Sequence, residues 1–144
     1  MQILKDEQFS PSCLELEITE NEFVSNSNDH LAQLKRLAQS GITIAIDDFG
    51  SGYASIQYIK KLPVNKIKLD KSFIDNLPYS ETDSVIVKAT IDMAHTLKLG
   101  VIAEGIETKE QLQALIEMGC DDGQGYLFSK PLTPEVIAQF VKSG

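Results

Sequence analysis

Strand patterns and helix patterns alternate along almost the whole chain, and this alternation restricts the fold more than any other feature. Apolar residues recur at every second position in short runs such as 14–18 and 42–46, and at helical spacing in the segments between the runs. Gly41, Gly100 and Gly119 are expected to end three of the helices. About five strands alternating with helices predict an α/β protein with a parallel sheet and right-handed crossovers.

Polar side chains stand at or just beyond the carboxyl end of each predicted strand. Parallel α/β folds gather their chemistry at this end of the sheet. Surface charge has no reason to follow strand register, so these residues predict one shared site rather than a solvated surface. The set comprises Glu17, Glu20, Asp47, Asp48, Lys68, Asp70, Glu104, Glu107 and Gln124.

Asp47 and Asp48 are adjacent and follow an otherwise uncharged strand. Two neighbouring carboxylates repel each other unless one is protonated or a cation lies between them, and a divalent ion is the usual partner of clustered oxygen ligands. Gly50 and Gly52 allow a sharp turn behind the pair. Taken alone, this stretch also fits a solvated turn that merely ends a strand.

Charged residues on the inner faces of the strands favour a barrel over an open sheet. Glu15, Glu17, Lys66 and Lys68 alternate with apolar residues, and a closed barrel can hold such side chains in its interior and mouth. A complete eight-stranded barrel needs about 250 residues. We therefore expect a partial TIM-like barrel whose N-terminal strands are missing, with residues 1–144 as a single truncated domain.

The formal net charge of -8 argues against duplex nucleic acid or an anionic membrane as a partner. No apolar run approaches the ~20 residues of a membrane span, and the N-terminus lacks the layout of a signal peptide. We predict a cytoplasmic chain, whose parent protein can still be membrane-anchored through other domains. Cys13 and Cys120 are predicted to be buried thiols, and His30 and His95 to be surface or packing residues.

Five short motifs mark the strand ends: Glu17-Ile-Thr-Glu20, Asp47-Asp-Phe-Gly-Ser-Gly52, Lys66-Ile-Lys-Leu-Asp70, Ala103-Glu-Gly-Ile-Glu107 and Gln124-Gly-Tyr126. Each motif is weak alone, but their order and separations are specific. Together they resemble the EAL domain of bacterial cyclic-di-GMP phosphodiesterases, over about residues 14–142. The family's Glu-Ala-Leu segment and a following strand with a metal-binding Asn lie N-terminal to everything in this sequence, and Ser51 stands where many relatives have Thr.

The resemblance implies a TIM-like barrel that holds two divalent ions, Mg or Mn, and opens one phosphodiester of cyclic-di-GMP to give linear pGpG. By position, Glu17 is similar to a ligand of the first metal, and Asp47 to the carboxylate that bridges both metals. Asp48 and Glu104 match the second metal's side. Lys68 matches the residue that holds or deprotonates the attacking water.

The resemblance also implies supporting roles. Three residues are expected to act in catalysis, namely Lys68, Glu104 and Gln124, and Gln124 does so as a supporting polar contact. The other supporting residues are Glu20, Gly50 and Gly52 as the glycine loop and its anchor, and Asp70 and Glu107 behind the ligands.

Two functions of different classes stay open. The parent domain is predicted to hydrolyse cyclic-di-GMP, with this chain alone inactive or weak because two ligands of the first metal are absent. The alternative is a naturally truncated, non-catalytic regulatory module that binds a nucleotide or a protein. Lyase chemistry based on acids and a lysine is weaker, because it leaves the Asp-Asp-Phe-Gly turn unexplained. Open strand edges predict a homodimer or a larger assembly.

Overall fold

The computed structural model describes residues 2–19, 28–50 and 56–143, so Glu20 and Gly52 lie outside the described residues. The strands are β1 (Glu15–Thr19), β2 (Thr43–Phe49), β3 (Lys66–Leu69), β4 (Gly100–Ala103) and β5 (Asp122–Gly123). The helices are α1 (Gln2–Asp6), α2 (Asn28–Gln39), α3 (Ile56–Ile59), α4 (Lys71–Ile74), α5 (Glu81–Thr96), α6 (Lys109–Met118) and α7 (Pro134–Ser143), and a 3-10 helix spans Pro11–Cys13.

The described strands form one sheet in sequence order, β1-β2-β3-β4-β5, and each neighbouring pair is parallel. Glu17 lies beside Ala45 in the β1–β2 register, and Lys68 beside Ile102 in the β3–β4 register. The predicted α/β class with five parallel strands is therefore confirmed. Within the described part of the chain, β1 and β5 each pair with a single neighbour.

The core lies between the central strands and the helices that cross over them. Helix α5 begins where Ser80 Oγ accepts a hydrogen bond from Asp83 N at 3.2 Å, and it turns an apolar face towards the sheet. Burying one such side chain contributes roughly 1.5 to 3 kcal/mol, so the inner strands form the stable part of the fold. The buried residues include Ile44, Ile46, Ile67, Leu69, Val87, Ile91, Ala94, Val101 and Ala103.

Two of the three predicted glycine helix ends are confirmed. Gly41 and Gly119 have φ values of 94° and 84°, in the left-handed region that ends a helix. The prediction for Gly100 is wrong, because Gly100 is the first residue of β4. Helix α5 ends earlier, and Lys98 takes the left-handed conformation with a φ of 61°.

The prediction of two buried thiols is wrong for Cys13, which is exposed at the end of the 3-10 helix. Cys120 is half-buried, and burial raises the pKa of its thiol to about 11. His30 and His95 are exposed, as predicted. None of the helices in the described ranges has the length and apolar character needed to cross a membrane.

Candidate active site

The carboxyl end of β2 departs from a regular strand at the two adjacent aspartates. Its register with β3 shifts between Ile46 and Phe49, and Asp48 has a φ of 52°. A regular strand turns successive side chains to opposite faces, whereas an irregularity of this kind re-aims a side chain. One carboxylate oxygen from each of Asp47, Asp48 and Glu104 lies within 4.8 Å of the other two.

Glu104 reaches this cluster from the loop that follows β4. Its backbone N–H donates to the Leu69 carbonyl at 3.2 Å, which continues the β3–β4 ladder by one residue. Gln124 Nε2 donates to Glu104 Oε1 at 2.6 Å. The structure therefore brings Gln124, Glu104, Asp47 and Asp48 together at the carboxyl ends of β2, β4 and β5.

Lys68 lies at the centre of the acidic cluster and is only 4% exposed. Its Nζ lies 2.5 Å from Glu17 Oε1, 2.8 Å from Glu104 Oε1 and 3.0 Å from Asp47 Oδ1. Burial alone lowers the pKa of Lys68, but contacts with Glu104, Glu17 and Asp47 outweigh burial and raise the pKa above its ordinary value. Lys68 is therefore a charged donor in this arrangement.

The buried oxygen Asp47 Oδ1 accepts no hydrogen bond from the described residues. The Lys68 ammonium lies 3.0 Å away and forms an ion pair with it. A buried carboxylate oxygen is normally satisfied, so the exception calls for another partner. Three carboxylates contact one ammonium and Asp48 lies close to two of them, so negative charge is in excess, which suits a divalent cation with oxygen ligands.

A second layer of charge lies nearer the amino ends of the strands. Lys66 Nζ lies 3.2 Å from Glu15 Oε2 and 3.3 Å from Asp122 Oδ2. Glu15 and Lys66 precede Glu17 and Lys68 by two residues in their strands, so the two pairs lie on the same face of the sheet. This agrees with the prediction that charged side chains line the inner face.

Asp70 and Glu107 make their contacts with residues outside the cluster. Asp70 Oδ1 accepts hydrogen bonds from Ser72 Oγ at 2.5 Å and from Ser72 N at 3.0 Å, which caps α4 and lowers the pKa of Asp70. Glu107 Oε1 lies 2.5 Å from Lys71 Nζ. The structure thus assigns Asp70 a helix cap and Glu107 an ion pair.

The Gln-Gly-Tyr motif contains a glycine at a position where the backbone of Ile106 lies very close. A methyl group at Gly125 would lie 2.1 Å from the Ile106 carbonyl oxygen and 2.3 Å from Ile106 N. The Ile106 N–H donates to the Gln124 carbonyl at 3.1 Å. This contact holds the backbone of Gln124 beside the Glu104 loop, so that the side chain reaches Glu104.

The sequence predicts Gln111 as the capping-box partner of Thr108, and the structure confirms this. Sequence reasoning missed Lys71 and the further contacts by which Gln111 supports the Glu104 loop. Gln111 is buried, and its Oε1 accepts from Glu107 N at 2.8 Å and from Thr108 N at 3.0 Å. The available signal was Gly105, because a glycine between two acids at a strand end often marks the close approach of another group.

A cleft of about 720 Å³ opens beside Glu104 and Gln124. Lys130 Nζ lies 5.8 Å from the centre of the Tyr126 ring, within the range of a cation–π contact. The cleft therefore combines an aromatic surface and positive charge next to the acidic cluster. Its lining also includes Lys71, Glu107, Ser129, Pro131, Leu132 and Ile137.

The family model described as the EAL domain matches residues 1–131. The chain belongs to the EAL domain family. It is 44% identical over 130 residues to the cyclic di-GMP phosphodiesterase NbdA of Pseudomonas aeruginosa, a match that covers 90% of this chain and 17% of NbdA. The five parallel strands thus belong to a fold of the TIM-barrel type.

Two solved EAL structures bear on the site. The phosphodiesterase MucR of Pseudomonas aeruginosa, in complex with c-di-GMP, has a TM-score of 0.88 and 38% identity, covering 94% of this chain and 55% of that chain. A manganese and cyclic-di-GMP complex of Klebsiella pneumoniae BlrP1 has a TM-score of 0.83 and 32% identity, covering 90% and 33% of the two chains. This chain thus spans about half of the MucR chain.

Proposed function

We propose that this chain supplies most of the catalytic site of a metal-dependent phosphodiesterase that hydrolyses cyclic-di-GMP to linear pGpG. The observation that carries the proposal is the convergence of Asp47, Asp48 and Glu104, with Asp47 Oδ1 buried and, among the described residues, paired with the Lys68 ammonium alone. Such an oxygen has a lone pair to give to a cation. The similarity to MucR and NbdA supports cyclic-di-GMP as the substrate.

Two divalent ions, Mg or Mn, fit the residues present. We assign Glu17 to the first ion, Asp47 to both ions, and Asp48 and Glu104 to the second ion. Bound divalent ions supply the charge that screens a phosphate and activates water for in-line attack. Carboxylate oxygens are the ligands that such hard ions prefer, and the cluster consists of carboxylates.

Lys68 and Gln124 act on the substrate side of this site. The protonated Lys68 ammonium can donate a hydrogen bond to the attacking water or to a phosphate oxygen, because it is a charged donor held among the ligands. Gln124 donates through its amide to Glu104 Oε1, the oxygen that also contacts Lys68, and so helps to fix the orientation of this carboxylate. We also propose that Glu20 anchors the glycine loop that contains Gly50 and Gly52.

The chain spans 55% of the solved MucR chain, so we propose that the active barrel is longer than 144 residues and that residues 1–144 form its carboxyl-terminal part. An edge strand offers unpaired backbone groups to any partner strand. In isolation we expect a homodimer or larger assembly through β1 or β5. Light scattering after size exclusion measures this directly, and a monomer of 15.9 kDa at all concentrations would exclude it.

The decisive experiment measures pGpG production by a completed domain, in which the amino-terminal strands of the MucR EAL domain precede this chain. We expect hydrolysis that requires Mg or Mn and stops with EDTA, and little or no turnover by the 144-residue chain alone. Asp47→Asn should abolish hydrolysis, whereas the control Asp92→Asn, in an exposed ion pair on α5, should not.

Two results would overturn the assignment. A completed domain that binds cyclic-di-GMP but does not hydrolyse it with either metal would favour the non-catalytic regulatory module. Turnover by the 144-residue chain at the rate of the completed domain would refute the proposed need for the additional strands.

A further inference from the structure

The one-turn helix α4 touches the loop that follows Asp48. It begins directly after β3, and the Asp70 cap fixes its first turn through two hydrogen bonds from Ser72. Phe73 packs against Gly50, where an added methyl group would lie 2.7 Å from two ring carbons. The Phe73 ring and the Gly50 backbone are therefore in close contact, and neither can move nearer to the other.

Lys71 makes the corresponding contact with the Glu104 loop. A methyl group at Gly105 would lie 2.5 Å from Lys71 Cγ and 2.8 Å from Cβ, so the stem of this lysine crosses the backbone next to Glu104. The head of the same side chain holds Glu107, with Nζ 2.5 Å from Oε1. One side chain therefore restrains two residues of the loop, on either side of Ile106.

The far end of α4 is joined to the same loop through Gln111. Its Nε2 donates to the Ile74 carbonyl at 3.1 Å, while its Oε1 holds the N–H groups of Glu107 and Thr108. Gln111 is buried, and its amide uses both its donor and its acceptor side. A buried, satisfied amide of this kind is costly to displace.

We propose that α4 is a brace between the two ligand loops, and that Lys71 and Phe73 are positioning residues that set Asp48 and Glu104 at the spacing needed to bind one divalent ion. The inference rests on the proposed function, because it takes Asp48 and Glu104 as ligands. Lys71 acts on Glu104 through Gly105 and Glu107, and Phe73 acts on Asp48 through Gly50. Neither positioning residue needs to touch the ion.

The first test measures Mn²⁺ affinity of the 144-residue chain by calorimetry, without any nucleotide. Removing a positive charge near a cation site should tighten binding if charge alone matters. The brace predicts the opposite sign: Lys71→Met should weaken binding about tenfold, as for other residues that orient metal ligands. Lys71→Arg should restore most of the affinity, because it keeps the charge and a long stem.

Two variants complete the comparison. Phe73→Leu retains an apolar side chain but loses the ring that meets Gly50, and it should also weaken Mn²⁺ binding. Lys88→Met removes a lysine from an exposed ion pair on α5 and should leave the affinity unchanged. Unchanged or tighter binding by Lys71→Met would overturn the brace.

Hydrogen exchange without metal provides an independent test of the same inference. Lys71→Met should speed amide exchange at residues 104–107, and Phe73→Leu at residues 47–50, while exchange at Ile67 in β3 stays slow. If the unmodified chain binds no Mn²⁺, the proposed metal site fails, and the exchange pattern still decides whether α4 restrains the loops. Equal exchange in all variants would refute the brace even if Mn²⁺ binds.

Discussion

The contact between Gly125 and Ile106 allows a stability prediction with an internal control. Gly125→Ala places a methyl group 2.1 Å from the Ile106 carbonyl oxygen, although Gly125 itself does not have a positive φ. Gly119→Ala is the reverse case, because no atom lies within 4 Å of the added methyl group but φ is 84°. The first variant therefore measures steric overlap with backbone, and the second measures the left-handed conformation.

The structure predicts a larger loss for Gly125→Ala. Relief of the overlap requires the backbone at Gly125 to move away from Ile106, which stretches the bonds from Ile106 N to the Gln124 carbonyl (3.1 Å) and from Leu127 N to the Ile106 carbonyl (3.0 Å). Two hydrogen bonds contribute about 1 kcal/mol each, and overpacking costs roughly 1 to 3 kcal/mol, so we expect a total near 3 to 5 kcal/mol. Gly119→Ala should cost about 1 to 2 kcal/mol.

Urea denaturation followed by circular dichroism, at one fixed protein concentration, measures both free energies of unfolding. A loss of about 3 to 5 kcal/mol is a large part of a typical stability of roughly 5 to 15 kcal/mol, so the Gly125 midpoint should fall clearly below the Gly119 midpoint. Equal losses, or a larger loss for Gly119→Ala, would mean that the chain at Gly125 moves off Ile106 without cost. The steric reasoning would then be wrong.

Three further predictions concern single side chains. In the completed domain, Lys68→Met should lower kcat about 100-fold or more and leave the Mn²⁺ affinity largely unchanged, whereas Asp47→Asn should weaken Mn²⁺ binding. Unchanged turnover by Lys68→Met at saturating metal would contradict the role of Lys68 as a donor. A thiol reagent at pH 8 should modify Cys13 much faster than Cys120, whose pKa burial raises to about 11, and equal rates would contradict this. Burial opposes the shift in Asp121, but its hydrogen bonds lower its pKa, so its stabilisation is present above about pH 4 and is lost as the pH falls through the folded-state pKa. Asp121→Asn should therefore cost under about 1 kcal/mol at pH 7 and less as the pH falls, as urea midpoints will measure.

The order and direction of the strands could be predicted from the sequence because both depend on patterns that are local. Apolar alternation identified the segments that became β1 to β3, and the short apolar run 101–103 identified β4; the helices between the strands allow only parallel pairing of neighbours. The same logic predicted that Glu17, Lys68 and Glu104 meet, since the carboxyl ends of parallel strands share one edge. Their contacts agree with this, with Lys68 in reach of both acids.

The details that depend on tertiary packing could not be predicted in the same way. Alternation in a regular strand separates the side chains of Asp47 and Asp48, and only the register shift and the left-handed Asp48 bring their oxygens together. The end of α5 is a second example. A glycine is the usual left-handed residue at a helix end, but Gly100 is the first residue of β4, and Lys98 adopts the left-handed conformation. Tertiary contacts outweigh local preference at both positions.

Under the proposed function, the arrangement of supports around the cluster follows from what a metal ligand must keep available. A carboxylate tied by hydrogen bonds on every lone pair has none left for a cation, so its position has to be fixed through its neighbours. Asp47 Oδ1 accepts no hydrogen bond from the described residues, whereas Gly50 is packed under Phe73 and Gly105 under Lys71. Glycine permits these contacts because a Cβ at either position would overlap the packed side chain. Gly50 and Gly105 are therefore the positions at which α4 packs against the loops of the proposed ligands, two residues after Asp48 and one residue after Glu104.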